Sequence, residues 1–202
     1  MKVAVVGLGY WGPNLVRNFL IQPDVEQVIA CDTREDRLKV IKQKFPSVQV
    51  SNNCDETLKG DCDLVVIATP VATHFPIAKK ALEHGKHIWV EKPFTASVAE
   101  AEELIEIAEA RNLKIFVDHT FIYNGAVIKM KELVDKGELG NILYFDSERI
   151  NLGLFQRAVS YTHLRAHETV LDLVCRLLLD NKKKYSITLK QSKLYLTLTS
   201  YT

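Results

Sequence analysis

A short apolar run, Val3 to Val6, passes directly into Gly7-Leu8-Gly9-Tyr10-Trp11-Gly12, which opens a segment of helical spacing. Asp32 follows twenty positions after Gly12, at the end of the next apolar run. Few folds accommodate this order. A strand buried on both faces must turn sharply into a helix: Gly7 permits the turn, Gly9 lets a phosphate approach the backbone, and Gly12 lets the helix pack closely on the strand. The helix N-terminus then offers unpaired N–H groups and the positive end of its dipole to an anion. Asp32 is placed to accept hydrogen bonds from ribose hydroxyls and to repel a 2′-phosphate, so NAD is expected rather than NADP. Arg34 is the alternative, as a residue that could neutralise a 2′-phosphate or simply be solvated at a helix start. Tyr10 and Trp11 lie inside the motif and read first as packing residues, with cofactor contact as their other use. Three glycines alone would mean no more than a tight turn; strand, helix and acid together favour a dinucleotide.

The same alternation continues to about Thr120. Val28 to Cys31, Leu64 to Ala68, His87 to Val90 and Ile115 to Val117 are short β-branched-rich runs of the kind buried on both faces of a parallel sheet. Between them lie helix-length segments, of which Ser97 to Arg111 is the clearest. Ser97 can cap it, Glu100 completes a capping box, and Val98, Ala101, Leu104, Ile105 and Ala108 would form its apolar face. The predicted fold class is therefore α/β, a Rossmann doubly wound parallel sheet. A second unit begins after it: Gly125 to Lys136 is predicted helical, Gly137 to Asn141 a turn, and Ile142 to Ile150 a strand.

Bulk properties exclude several classes. A net charge of +1 provides no field for nucleic acid or an anionic membrane, and no apolar run approaches the roughly 20 residues of a membrane span. The four cysteines, Cys31, Cys54, Cys62 and Cys175, form no CxxC pair, which points to reduced thiols in the cytoplasm. No metal site is expected: His163 and His167 have the spacing of a ligand pair but lack a third ligand.

Two further segments sit at predicted strand ends, where open α/β sheets collect their ligands. One is Ala68-Thr69-Pro70 with Thr73-His74; the other is Glu91-Lys92-Pro93. A lysine between an acid and a proline at the mouth of a buried strand suits a bound ligand better than a core, although alone it would be a surface lysine beside a turn.

The stretches GLGYWG (7–12), IATPVATHFPIAKKALEHGKHIWVEKP (67–93) and HTFIYNGAVIKMKELVDKGELGNI (119–142) together resemble the Gfo/Idh/MocA family of glucose-fructose oxidoreductase, inositol dehydrogenase and relatives. The resemblance covers residues 1 to about 157. GYWGPNLVRNF and DSERINLGLFQR look most like bacterial nucleotide-sugar 3-dehydrogenases of surface-polysaccharide synthesis. The resemblance implies hydride transfer between nicotinamide and a sugar carbon bearing a hydroxyl. It makes Lys92 the catalytic residue, assisting proton transfer at that hydroxyl, and Glu91-Lys92-Pro93 a tight turn under the nicotinamide whose proline can be cis. It also implies that Thr69, Pro70 and His74 line the cofactor and that His119 lies near the nicotinamide end, with a structural role open for both histidines. His84 and His87 are expected to be surface residues. The implied partners are a sugar or nucleotide-sugar substrate and, for a full-length protein, copies of itself. A polyol or inositol dehydrogenase and a non-catalytic NAD-binding sensor are the alternatives.

The texture changes after Arg157. All 9 glycines and 6 prolines lie at or before Gly153, and residues 158–202 carry seven Lys+Arg against three Asp+Glu, net +4, where residues 1–157 carry 19 against 22, net −3. The DLxxH-like pattern implied for a second domain is absent from this stretch, and AVSYTHLRAHETVLDLVCRLLL resembles translated adapter sequence. The predicted division is a NAD-binding domain over 1–120, the start of a truncated α+β substrate domain over 121–157, and a non-native tail over 158–202. Leu171 to Leu179 could form a turn or two of helix and Ile187 to Thr199 alternates weakly, but without turn residues the tail is not expected to pack as a second domain.

Overall fold

A computed structural model of the chain describes residues 1–140, 142–145, 149–150, 175–179, 184–190 and 193–199. It divides into two compact units, Met1–His119 and Thr120–Thr202. In the first, strands and helices alternate: β1 (Lys2–Val6), α1 (Gly12–Leu20), β2 (Gln27–Cys31), α2 (Glu35–Lys44), β3 (Gln49–Ser51), α3 (Cys54–Lys59), β4 (Leu64–Ile67), α4 (His74–Glu83), β5 (His87–Glu91), α5 (Val98–Ala110) and β6 (Ile115–Asp118). All six strands run parallel in the order β3-β2-β1-β4-β5-β6, so the winding direction reverses between β1 and β4.

Alternate residues of β1 face opposite cores. Val3 and Val5 pack with Leu15, Val16, Leu38 and Ile41 of α1 and α2. Ala4 and Val6 pack with Leu58, Ala78, Leu82, Leu104 and Ala108 of α3, α4 and α5. Each fully buried Val, Leu or Ile among them contributes about 1.5–3 kcal/mol relative to exposure, which is why a run apolar at every position is stable only between two helical layers.

Ser97 caps α5 as expected, accepting from the Glu100 N–H at 3.3 Å, and the Glu100 carboxylate accepts in return from the N–H of Ala96 at 3.0 Å. The predicted apolar face needs correction. Val98 is 74% exposed and Ile105 44% exposed, whereas Leu104 and Ala108 are buried with Ile107 packed beside them. The buried stripe of α5 therefore runs through Leu104 and Ala108, and its first turn is left outside the core.

The second unit contains α6 (Gly125–Asp135), whose cap is Asn124, and strands β7 (Ile142–Phe145), β8 (Arg149–Ile150), β9 (Cys175–Leu179), β10 (Lys184–Lys190) and β11 (Lys193–Thr199). They form a sheet in the order β11-β10-β9-β7, antiparallel between neighbours, with β8 parallel to β10. The expectation of a tail that does not fold back is not met by these strands. Cys175–Leu179 is strand where helix was expected, because a short apolar run does not discriminate between the two. The alternation from Tyr185 to Leu198 is itself a sufficient strand pattern. His163 and His167 lie outside the described residues. Among the described residues, no helix is long and apolar enough to cross a membrane.

Candidate functional site: the carboxyl edge of the parallel sheet

The site is assembled from the turns that leave the C-terminal ends of β1, β2, β4, β5 and β6. Gly7 leaves β1 at φ +95°, and a β-carbon there would come within 2.6 Å of the Ala68 carbonyl oxygen. Its N–H donates to the Cys31 carbonyl at 2.8 Å, tying the turn to the end of β2. A β-carbon at Gly12 would overlap the Gly7 carbonyl, so the first turn of α1 rests on the glycine turn itself. Gly9 differs from both: nothing lies within 4 Å of where its β-carbon would be. α1 begins with Pro13 in its first turn and no side chain caps it, in contrast to Asn53 on α3 and Ser97 on α5. An uncapped helix start behind an open glycine fits the diphosphate of a dinucleotide.

Asp32 follows β2 and is 7% exposed. Burial alone would raise its pKa. The N–H groups of Arg34 and Leu8, at 2.9 and 2.7 Å, and the Arg37 guanidinium at 3.0 Å outweigh that effect and hold the carboxyl below its ordinary value. The carboxylate is therefore fixed in place and ionised. The Arg34 side chain turns away to pair with Asp36 at 2.6 Å. Arg37, which sequence reasoning passed over, is the cation beside Asp32; its place five residues on, in the first turn of α2, was the available signal.

Tyr10 and Trp11 are 67% and 51% exposed and meet edge to face at 5.1 Å, so the packing role first expected of them is not met within this unit. Beyond β4, the Thr73 hydroxyl donates to the Pro70 carbonyl at 2.7 Å and accepts from the Thr69 hydroxyl at 2.8 Å, closing the turn. His74 is 1% exposed. Its Nδ1 lies 2.9 Å from the Pro93 carbonyl and its Nε2 2.9 Å from the Thr69 carbonyl, so the ring joins the turns after β4 and β5. A concavity of about 440 Å³ opens between the start of α3 and the start of α4, lined by Asn52, Asn53, Thr73 and Ile77 among others.

The β5 turn carries Glu91, buried, followed by exposed Lys92 and Pro93, with the Lys92–Pro93 peptide cis. Glu91 and Asp118 are partners in the β5–β6 register. Burial first, then the charge and hydrogen bond of Asp118, push the Glu91 carboxyl up to about 7, against the opposing N–H and charge of Lys92. Asp118 was not among the sequence candidates; its only signal was its place at the end of a predicted strand. His119 follows it and is exposed. Of the two remaining histidines, His84 is exposed, with Nδ1 2.7 Å from the Lys80 carbonyl, and His87 accepts the Lys114 N–H at the opposite edge of the sheet. Among the described residues no group of three metal-ligating side chains occurs.

Comparison with known proteins agrees with this geometry. The chain is 35% identical over 148 residues to the uncharacterized oxidoreductase YdgJ of Escherichia coli K12, covering 73% of this chain and 42% of that protein. It is 29% identical over 124 residues to dTDP-3,4-didehydro-2,6-dideoxy-alpha-D-glucose 3-reductase of Streptomyces violaceoruber, covering 61% and 36%. Apo scyllo-inositol dehydrogenase from Lactobacillus casei superimposes with a TM-score of 0.65 at 26% identity, over 70% of this chain and 43% of that one. The chain thus spans less than half the length of each of these relatives. The family description "oxidoreductase family, NAD-binding Rossmann fold" matches residues 1–119, which is the whole first unit, and this chain belongs to that family, Gfo/Idh/MocA.

Proposed function

We propose that the chain is the cofactor-binding half of an NAD(H)-dependent oxidoreductase acting on a ring hydroxyl of a sugar, with nucleotide sugars as the substrate class. The observation that carries this reading is the exposed Lys92 at the end of β5, on the far side of the β1–β4 reversal from the fixed Asp32 carboxylate. Bound nicotinamide would supply the hydride chemistry. This chain's residues do the rest: Gly9 and the start of α1 admit the diphosphate, Asp32 accepts from the adenosine ribose, and Thr69 and Pro70 border the path between them and Lys92. Glu91, Pro93 and His119 surround the nicotinamide end, with His74 fixing two of its turns. Tyr10 and Trp11 stand at the rim. Lys92 holds or passes the proton of the reacting hydroxyl.

Similarity to the dTDP-sugar reductase supports a nucleotide sugar. Similarity to the inositol dehydrogenase supports the second reading, a free polyol. A cytoplasmic setting and self-association of the full-length protein complete the proposal. Residues 121–157 would begin the substrate domain, and residues 158–202, lacking Gly and Pro, would be foreign to it. The test joins residues 1–157 to the second half of a relative and follows NAD⁺ reduction with a panel of nucleotide sugars and inositols. Turnover of nucleotide sugars supports the reading. Turnover confined to inositols supports the polyol alternative, and NADH binding without any turnover supports a sensor.

A further inference from the structure

Glu91 and Asp118 end neighbouring strands as register partners, which sets their carboxyl groups side by side at the carboxyl edge of the sheet. Glu91 is only 9% exposed. Two ionised carboxylates side by side repel, and ionising the buried one also costs its hydration, so both effects favour a proton on Glu91. The titratable groups around Glu91 are few. Lys92 follows it in the turn after β5, its N–H and charge both favouring the ionised form. Asp118 lies opposite on β6, followed by exposed His119, and from α4 His74 meets the adjoining Pro93 carbonyl. Burial and the Asp118 charge keep the proton on the pair up to about pH 7. The pair therefore carries one negative charge on the acid side of neutrality and two on the alkaline side.

The position of this pair gives the charge a use. Asp32 follows β2, on one side of the reversal between β1 and β4, whereas Glu91 and Asp118 end β5 and β6 on the other. With the ribose at Asp32 and the diphosphate over the glycine turn, the far ring of the dinucleotide falls toward β5 and β6, a step that rests on the function proposed above. The oxidised nicotinamide ring is a cation; the reduced ring is neutral. We propose that the Glu91–Asp118 pair sets which redox form of the cofactor this half of the site prefers, favouring the oxidised cationic ring when both carboxylates are ionised and the reduced ring when the pair holds its proton. Binding of the oxidised form would correspondingly release a proton to solvent from this pair.

The test is calorimetric titration of the full chain with NAD⁺ and with NADH at about pH 6 and about pH 8. The ratio of NAD⁺ affinity to NADH affinity should rise by at least about threefold with pH. Glu91→Gln and, independently, Asp118→Asn should each flatten that rise, so that misfolding of one variant leaves the other informative. His84→Asn, a change at an exposed histidine away from this edge, should retain it. A constant ratio in the parent chain, or a rise that survives both carboxyl substitutions, overturns the inference while leaving dinucleotide binding intact. Absence of binding by either form overturns the dinucleotide reading and this inference with it.

Discussion

Glu91→Gln should make the Rossmann unit more stable as pH rises, an unusual result for removing an acid from a protein. In the unfolded chain a glutamate titrates at its ordinary 4.5, but in the folded protein the Glu91 carboxyl does so at about 7. Between those values the folded state keeps a proton that the unfolded state has released, so stability falls as pH climbs and levels off above 7. The interval from 4.5 to about 7 corresponds to on the order of 3 kcal/mol by linkage. Glutamine preserves the shape, cannot ionise, and can donate to Asp118, so the variant should escape this loss. Asp32 acts in the opposite sense, its stabilisation being lost only as pH falls below its ordinary 3.8, outside the window measured. Urea unfolding from about pH 5 to about pH 8, followed by tryptophan fluorescence, is a suitable assay, because Trp89 packs on Phe19 at 5.5 Å and Phe116 at 4.1 Å inside the unit. The two proteins should have similar stability near pH 5 and diverge toward pH 8, the variant gaining. Parallel curves, or a parent that gains on the variant with pH, would refute the reasoning.

Gly9→Val and Gly12→Ala should separate binding from folding: valine at the open Gly9 should leave stability intact and weaken NADH binding by about tenfold or more, whereas alanine at Gly12 should cost about 1–3 kcal/mol in urea unfolding because it overlaps the Gly7 carbonyl. In the chimera described above, Lys92→Ala should lower turnover by about 10²–10⁴-fold with NAD affinity nearly unchanged; near-normal turnover would make Lys92 a surface lysine. Deleting residues 158–202 should not change the NADH affinity of the chain, and a loss measured by calorimetry would show that the segment contributes to the fold or site.

The parallel sheet was legible because β1, β2, β4, β5 and β6 are apolar at nearly every position and the turns between them carry glycine or proline. β3 was not, since Gln49–Ser51 is a three-residue edge strand with Val50 39% exposed, too short and too polar for a periodic signal. The glycine turn and the acid at Asp32 could be read from local spacing. Arg37 and Asp118 could not, because their roles come from pairing across α2 and across the β5–β6 register, which spacing along the chain does not encode. His74 was read as lining the cofactor or as structural, and its burial and its two carbonyl contacts arise because the turn after β5 comes back onto the turn after β4, bringing Pro93 to a histidine 19 residues away. In the second unit the strand expected over Ile142 to Ile150 holds β7 and β8, whereas β9 was read as helix and the pairing of β9, β10 and β11 was not expected, because the absence of turn residues was weighed above the alternation from Ile187 to Thr199.

The most direct test of the central claim is paired titration of the full chain with NADH and NADPH, repeated in Asp32→Ala. The fixed Asp32 carboxylate should make NADH the tighter ligand, since a 2′-phosphate would meet its charge in a buried setting, and the alanine variant should narrow the difference. NADPH binding as tightly as NADH to the unmutated chain, with Arg37 or Arg34 required for it, would contradict the assignment of this carboxyl edge as an NAD site.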